Sequence, residues 1–422
     1  MGCGQRVMAT GVEPHEPALV DSTQAYPTFV LLDTAARPEN APDVDGKAAR
    51  HEAVLLSDPV GLEHTGPGAA VDAMDTESVH LTVDGGGSSN RGSSKLGVLR
   101  LAALLFFSVS GGPVGTEGLI QAAGPFCSLI GLLVLPLFWC LPVGLMTAEL
   151  ATAFPKDGGY VLWVNAAFGG FGGFMMGWIS WASGVVDTAI YPGMFVSFVR
   201  HGLHVKMSHQ ARSALLVGFN VVLSSSNLLG IGIAGDASLF FSAVVLLPVV
   251  ILMLVSLPDM DPAAWLQSTP APDWVHWINI AIWNTNGFDT ISTFAGEVCT
   301  PMRTFPAAIV LGGLAVILPY VISIMAATAV NQDYSSYENG TYNLIAVKEG
   351  GWFVGMLFTV STCAAAAGMY VSDITSYSYQ LSGMAEEGML PEILAAKMPG
   401  PGTPYVAIGY CVLPCLPFFN PA

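Results

Sequence analysis

Long apolar stretches separated by short polar connectors run along the chain from residue 96 to its end. A transmembrane helix needs about 20 mostly apolar residues, and the pattern predicts nine such spans. They lie near residues 96–121, 127–150, 168–200, 211–229, 235–257, 275–298, 304–330, 350–383 and 404–419. The last one is short and carries Pro414 and Pro417. The pattern therefore predicts an all-α polytopic protein embedded in a lipid bilayer.

Two of these spans are interrupted by glycine and polar residues. The run GGPVGTE at 111–117 cuts into the first span, and NTNGFD at 284–289 cuts into the sixth. Free backbone groups at membrane depth are tolerated only where protein or a water-filled cavity satisfies them. Breaks at corresponding positions in two membrane halves point to a transporter binding site. We therefore expect an inverted-repeat carrier for a small solute.

The two predicted halves differ in length. Residues 96–257 hold five spans that begin with a broken one, whereas residues 275–422 begin in the same way but hold four. A five-plus-five inverted repeat needs one more helix. The second repeat is therefore expected to be incomplete, and the chain to be C-terminally truncated.

The charge of the chain is concentrated ahead of the first span. The formal net charge is -17, and residues 1–90 carry 14 Asp/Glu against 4 Lys/Arg, which makes -10. This stretch is rich in Gly, Pro and Ala and shows no hydrophobic period, a composition typical of disorder. We therefore divide the chain into a disordered acidic cytoplasmic tail, residues 1–90, and a transmembrane transporter domain, residues 91–422.

Other function classes find little support. The seven cysteines are scattered without metal-ligand spacing, and no nucleophile–base pair or phosphate-binding loop stands out. We predict no enzyme, no metal and no cofactor. An acidic, apolar chain also argues against a nucleic-acid partner.

Positive charge predicts the orientation in the membrane. Arg91, Lys95 and Arg100 precede the first span, and cytoplasmic flanks carry an excess of Lys and Arg. The N-terminus is therefore expected in the cytoplasm. Alternation of the spans then places the glycosylation sequon Asn339-Gly340-Thr341 outside, as its chemistry requires.

Four carboxylates fall inside predicted spans: Glu117, Asp187, Asp289 and Asp373. Intramembrane ionisable residues are costly and mark functional sites by default, and no Lys or Arg lies in mid-span to neutralise them. A buried carboxylate without a cation takes up a proton or awaits a cationic ligand. This pattern favours a carrier of organic cations, coupled to protons.

Each carboxylate also has a simpler interpretation. Glu117 could face an outer aqueous cavity, Asp187 could bond neighbouring hydroxyls, and Asp289 could cap the second half of a broken helix. Asp373 is expected to be structural or near the surface.

The negative charge of Glu117 bears on the charge of the substrate that the chain can bind. Helix breaks that bind amino acids direct N-terminal dipoles at a substrate carboxylate. Glu117 would repel that carboxylate, because the repulsion between unit charges ~5 Å apart is about 3 kcal/mol at a dielectric of 20. Several spaced carboxylates suit a linear polyamine instead, and aromatic faces bind ammonium groups. The predicted substrate site consists of Gly111, Gly112, Gly115, Glu117, Asp187, Tyr191, Trp283, Asn286, Gly287, Phe288 and Asp289.

Several of these motifs resemble a known family. They are SGGPVGTE at 110–117, AELATAFPKDGGYV at 148–161, SGVVD at 183–187, STFAGEV at 292–298, GMAEEGMLP at 383–391 and GTPY at 402–405. Together they resemble the plant-type polyamine uptake transporters, in the L-type branch of the amino acid–polyamine–organocation superfamily. The resemblance implies an inverted-repeat fold with broken helices 1 and 6, and proton-coupled import of putrescine, spermidine or spermine at the plasma membrane.

The resemblance also carries over residue by residue. The family's broken first helix falls on Gly111, Gly112 and Gly115, and its acidic partners fall on Glu117, Asp187 and Asp289. One departure is Gly287-Phe288, where the family usually has a Tyr-Trp pair. The alternatives are a cationic or neutral amino acid carrier of the same fold and a truncated, non-transporting homologue or sensor.

Overall fold

The computed structural model describes residues 96–202 and 205–415. The predicted acidic tail, residues 1–90, lies outside these described residues. Within them the chain is helical, and extended pairing is limited to isolated bridges such as the one between Leu96 and Val298.

Eleven α-helices make up the described part of the chain. They are α1 (Val98–Val109), α2 (Glu117–Phe138), α3 (Cys140–Ala153), α4 (Tyr160–Thr188), α5 (Ile190–Gly202), α6 (His209–Leu228), α7 (Ile231–Ser256), α8 (Trp274–Trp283), α9 (Pro301–Val330), α10 (Thr341–Glu386) and α11 (Tyr405–Val412).

Within the described residues, five segments are long and apolar enough to cross a membrane. They are Glu117–Ala153, Tyr160–Arg200, Ile231–Asp259, Pro301–Val330 and Thr341–Glu386. Three of these segments contain one non-helical glycine, at Gly124, Gly169 and Gly351. Since a positive φ is easily adopted only by glycine, each marks a sharp kink between two helices that follow each other directly.

The first and sixth predicted spans are broken, as the sequence indicates. α1 ends at Val109 and α2 begins at Glu117. After α8 the chain leaves the helical path at residues 284–289 and continues as two short 3₁₀ turns, Thr290–Thr293 and Ala295–Glu297.

The core of the bundle forms around α10, the most buried of the five long segments. Its middle carries the small residues Ala364–Gly368, which allow close helix contacts. A Cβ at Gly368 would overlap the Phe107 ring of α1. α10 also packs against α4, α5 and α7, so its polar face is held against the helices that carry the candidate site.

Four separate segments meet at the end of the bundle where α1 begins, called here the α1 end. Leu96 donates its N–H to the Glu297 carbonyl at 2.8 Å, and Gly158 donates to the Thr293 carbonyl at 2.7 Å. The Lys397 ammonium reaches Asp157 at 3.1 Å. Backbone hydrogen bonds and ion pairs therefore hold these four segments together at the α1 end.

Asp157 is the most buried charge of the α1 end, with 5% of its surface exposed. Its Oδ2 accepts from Lys397, which also contacts Glu386 at 3.0 Å, while its Oδ1 lies buried without a partner. Burial raises the pKa of Asp157 to about 6, against the lowering effect of Lys397. The ion pair thus offsets only part of the cost of burying this carboxylate.

Lys397→Met tests this arrangement. Removing the cation leaves Asp157 buried without a countercharge, a change we expect to lower the free energy of unfolding by about 2 kcal/mol near neutral pH. A raised native pKa contributes stability at low pH that is lost as the pH rises. The deficit against wild type should therefore shrink as the pH falls from about 8 to about 5, where Asp157 is protonated in both proteins.

The measurement is thermal unfolding of the detergent-solubilised chain across this pH range. Lys156→Met is the matched control, because Lys156 belongs to the same end but its side chain is 56% exposed in its ion pair with Glu387. A pH-independent deficit for Lys397→Met, or an equal deficit for Lys156→Met, would contradict the interpretation.

Candidate substrate site at the helix breaks

The two helix breaks lie against each other. Gly287 has a φ of 102°, and a Cβ there would overlap the Ser108 carbonyl oxygen at the end of α1. A Cβ at Gly115 would lie 3.7 Å from Oδ1 of Asn284. Glycine at 287 is therefore required both by the backbone angle and by the closeness of α1.

The first break satisfies its own backbone groups. Gly112 donates its N–H to the Ser110 hydroxyl at 2.9 Å, and the Thr116 hydroxyl donates to the Pro113 carbonyl at 2.6 Å. A Cβ at Gly111 would lie 2.6 Å from the end of the Met369 side chain. This loop is consequently compact and packed against α10.

Glu117 links the first break to the segment at the start of α10. Its Oε2 accepts from the Gly115 N–H at 2.7 Å and its Oε1 from the Gly340 N–H at 3.2 Å. The preceding Thr116 hydroxyl lies 2.9 Å from the Tyr342 hydroxyl. Glu117 is fully buried, so it does not face an aqueous cavity in this conformation.

The second break draws its partners from neighbouring helices. The Tyr320 hydroxyl of α9 donates to the Asn284 carbonyl at 3.1 Å, and the Cys140 thiol of α3 donates to the Thr285 carbonyl at 3.2 Å. Asp289 stands at the cap position of the following 3₁₀ turn but makes no side-chain capping bond. Its carboxylate is therefore not used as a helix cap.

The other predicted residues of this break are placed differently. Phe288 is buried, and a Cβ at Gly313 of α9 would lie 3.5 Å from its ring. Trp283 is 68% exposed and Asn286 is also exposed. The structure therefore does not enclose Trp283 and Asn286 with the buried carboxylates.

Asp187 lies in the last turn of α4 with one oxygen unsatisfied. Its Oδ2 accepts from the Tyr191 hydroxyl at 2.9 Å, the local bond that the sequence offered as one alternative. Its Oδ1 is buried and has no hydrogen-bond partner. An unsatisfied buried acceptor is costly and so marks a position for a donor.

Of the two expectations for Asp373, a structural role or a position near the surface, the second is wrong. Asp373 is 5% exposed, and it interacts electrostatically with Asp187 across the interface between α10 and α4. The Thr188 hydroxyl donates to its Oδ2 at 3.4 Å. The reason is the packing of α10, whose central turns are enclosed on all sides.

Two tyrosines that the sequence reasoning missed complete this region. Tyr377 of α10 lies within electrostatic range of Asp187, Asp289 and Asp373, and Tyr160 lies within range of Asp289 and Asp373. One signal was available in the sequence. Positions 373, 377 and 380 recur at helical spacing, which places polar residues on one face of α10.

The predicted carboxylates therefore divide into two groups. The hydrogen bonds of Glu117 run to Gly115 and Gly340, whereas Asp187 and Asp289 both interact electrostatically with Tyr377. The ion pairs recorded for residues 96–202 and 205–415 involve none of these three carboxylates. The described residues also include no group of three His, Cys, Asp or Glu suited to a metal ion.

An apolar cavity of about 350 Å³ lies away from the breaks, between α4, the end of α10 and α11. Trp178, Trp181, Met384 and Tyr410 are among its lining residues. These tryptophans therefore line a different part of the molecule from the helix breaks.

Comparison with known proteins gives consistent results. A profile of the amino acid permease family matches residues 96–419. Polyamine transporter RMV1 of Arabidopsis thaliana is 36% identical over 332 residues, which cover 77% of this chain and 68% of the relative. Polyamine transporter PUT1 of Oryza sativa subsp. japonica is 39% identical over 329 residues, covering 77% of this chain and 61% of the relative. The chain thus spans less than two thirds of the rice protein.

The fold also matches a solved structure, that of MhsT in complex with L-phenylalanine. The TM-score is 0.55 with 14% identity, covering 78% of this chain and 80% of the other. This likeness concerns the fold alone, and it confirms the predicted LeuT-like architecture with broken first and sixth helices. The resemblance to plant polyamine transporters is likewise confirmed. By its sequence over residues 96–419, this multi-pass membrane protein belongs to the amino acid permease family.

Proposed function

We propose that this chain imports polyamines across the plasma membrane by proton symport, with its N-terminus in the cytoplasm. The observation that carries the proposal is the buried, unsatisfied Oδ1 of Asp187 in the last turn of α4, at membrane depth. No ion pair recorded for the described residues supplies a cation to Asp187 or Asp289. A cationic solute would supply the missing charge and the missing donor together.

The first break favours a cation over an amino acid carboxylate. A carboxylate substrate needs free N–H donors at the break. Here the Gly115 N–H is already bonded to Glu117, and the Gly112 N–H is bonded to Ser110. The protein's own carboxylate therefore occupies the position in which it would repel an anionic group.

We assign different roles to the two groups of carboxylates. Asp187 and Asp289 bind ammonium groups of the substrate, and Tyr191 orients Asp187 through its 2.9 Å hydrogen bond. Glu117 holds the first break against the Gly340 backbone. Gly287 allows the two breaks to approach, and Phe288 forms an apolar wall beside them.

The names of the relatives support the substrate class, since those at 36–39% identity are called polyamine transporters. Symport requires the proton and the organic cation to be carried together, so we assign the proton to an intramembrane carboxylate that does not bind an ammonium group in the same step. The inside-negative potential of a plasma membrane adds about 2.3 kcal/mol per charge per 100 mV in the direction of cation entry.

Uptake of labelled spermidine tests the proposal directly. The full chain is expressed in cells that lack polyamine import, and uptake is measured at acidic and neutral outside pH. Uptake should rise at acidic pH and collapse with an uncoupler, because the proton is a co-substrate. A surface-localised chain that takes up a neutral amino acid but no spermidine would contradict the proposal.

Asp187→Asn tests the role of that carboxylate. The variant is nearly isosteric but cannot neutralise an ammonium group, so concentrative spermidine uptake should fall by about 100-fold or more at unchanged surface expression. Asp259→Asn is the matched control, because Asp259 is an exposed carboxylate in a connector. Wild-type uptake by Asp187→Asn would remove Asp187 from the site.

A further inference from the structure

Of the four carboxylates predicted inside spans, Asp373 is the one to which the proposed function gives no role. It lies on the buried face of α10, opposite Asp187 on α4, and the two interact electrostatically. Thr188 donates to Asp373 at 3.4 Å and Tyr191 donates to Asp187 at 2.9 Å. Thr188, which bonds the buried Asp373, directly follows the half-buried Asp187 in the chain, so the two carboxylates belong to one contact between α4 and α10.

We propose that Asp373 and Asp187 together form a subsite for one ammonium group, so that this chain selects substrates with at least two ammonium groups over monoamines. The inference rests on the proposed polyamine transport and deepens it. Asp289 at the second break binds one end of the substrate, and the Asp187–Asp373 pair binds the other.

A second observation points to a ligand at the same place. The Ser376 hydroxyl, one turn beyond Asp373 on α10, is 1% exposed and has no hydrogen-bond partner. Residues three apart share a helix face, so Ser376 and Asp373 line the same side of α10. With Oδ1 of Asp187 this makes two buried polar atoms without a partner, and an ammonium group has three donors to offer.

The charge balance requires a positive partner. Without a cation, one of two neighbouring carboxylates at this depth must take up a proton, so the pair is fully ionised only when a positive partner is bound. The lysines and arginines in the recorded ion pairs of residues 96–202 and 205–415 bond elsewhere, as Arg100 does with Asp236 and Lys397 with Asp157. The subsite is therefore incomplete until a cation enters.

Selectivity then follows from the number of charges. A monoamine satisfies either Asp289 or the Asp187–Asp373 pair and leaves the other without a partner. A diamine satisfies both. An unpaired buried charge is much more costly than an unpaired exposed one, so discrimination is expected to be large.

Competition binding on the purified full chain tests the subsite. Labelled spermidine is displaced by 1,4-diaminobutane or by 1-aminobutane. The two compounds have the same four-carbon chain, but the first carries two amines and the second carries one. Wild type should bind the diamine at least about tenfold more tightly. Asp373→Asn should weaken diamine binding by about tenfold and leave monoamine binding within about twofold, while Asp259→Asn should match wild type.

Ser376→Ala is the second variant, because it keeps both carboxylates and removes only one acceptor. It should weaken diamine binding by about threefold, and it decides the question if Asp373→Asn does not fold. An unchanged diamine preference in the folded variants would overturn the subsite while leaving polyamine transport intact. A wild-type chain that binds no spermidine would overturn both proposals.

Discussion

The structure depends on one constraint, that backbone polar groups at membrane depth must find partners inside the protein. Two helices stop in mid-span, after Val109 and after Trp283. The groups they release are taken up by Ser110 and Glu117 at the first break and by Tyr320 and Cys140 around the second. Most of these partners are side chains, so the breaks can exist only in this packed arrangement.

This constraint separates the buried carboxylates into two kinds. Glu117 has both oxygens bonded to backbone N–H groups and belongs to the framework of the first break. Asp187 has one oxygen bonded to Tyr191 and the other free of partners. A carboxylate whose two oxygens are both bonded within the protein has no free acceptor for a ligand. A carboxylate with one unbonded oxygen can still accept a hydrogen bond from a ligand. We therefore place the recognition of cations at Asp187 and its neighbours rather than at Glu117.

The features that the sequence predicts are those encoded locally. The runs at 111–117 and 284–289 interrupt apolar periodicity, so the two breaks, the spans and the fold class could be predicted. The contacts that sequence reasoning missed join distant segments. Asp157 and Lys397 are 240 positions apart, and Glu117 and Gly340 are 223 apart. Whether Asp373 faces lipid, solvent or Asp187 depends on the rotation of α10 against α4, which only tertiary packing determines.

The most direct test of this account is an experimental structure of the full chain in lipid nanodiscs with spermidine bound. The account predicts ligand density beside the second break, with one nitrogen within hydrogen-bonding distance of Oδ1 of Asp187. The hydrogen bonds of Glu117 to Gly115 and Gly340 should persist. Spermidine bound against Glu117, or bound elsewhere with Asp187 and Asp289 both unoccupied, would contradict the central claim.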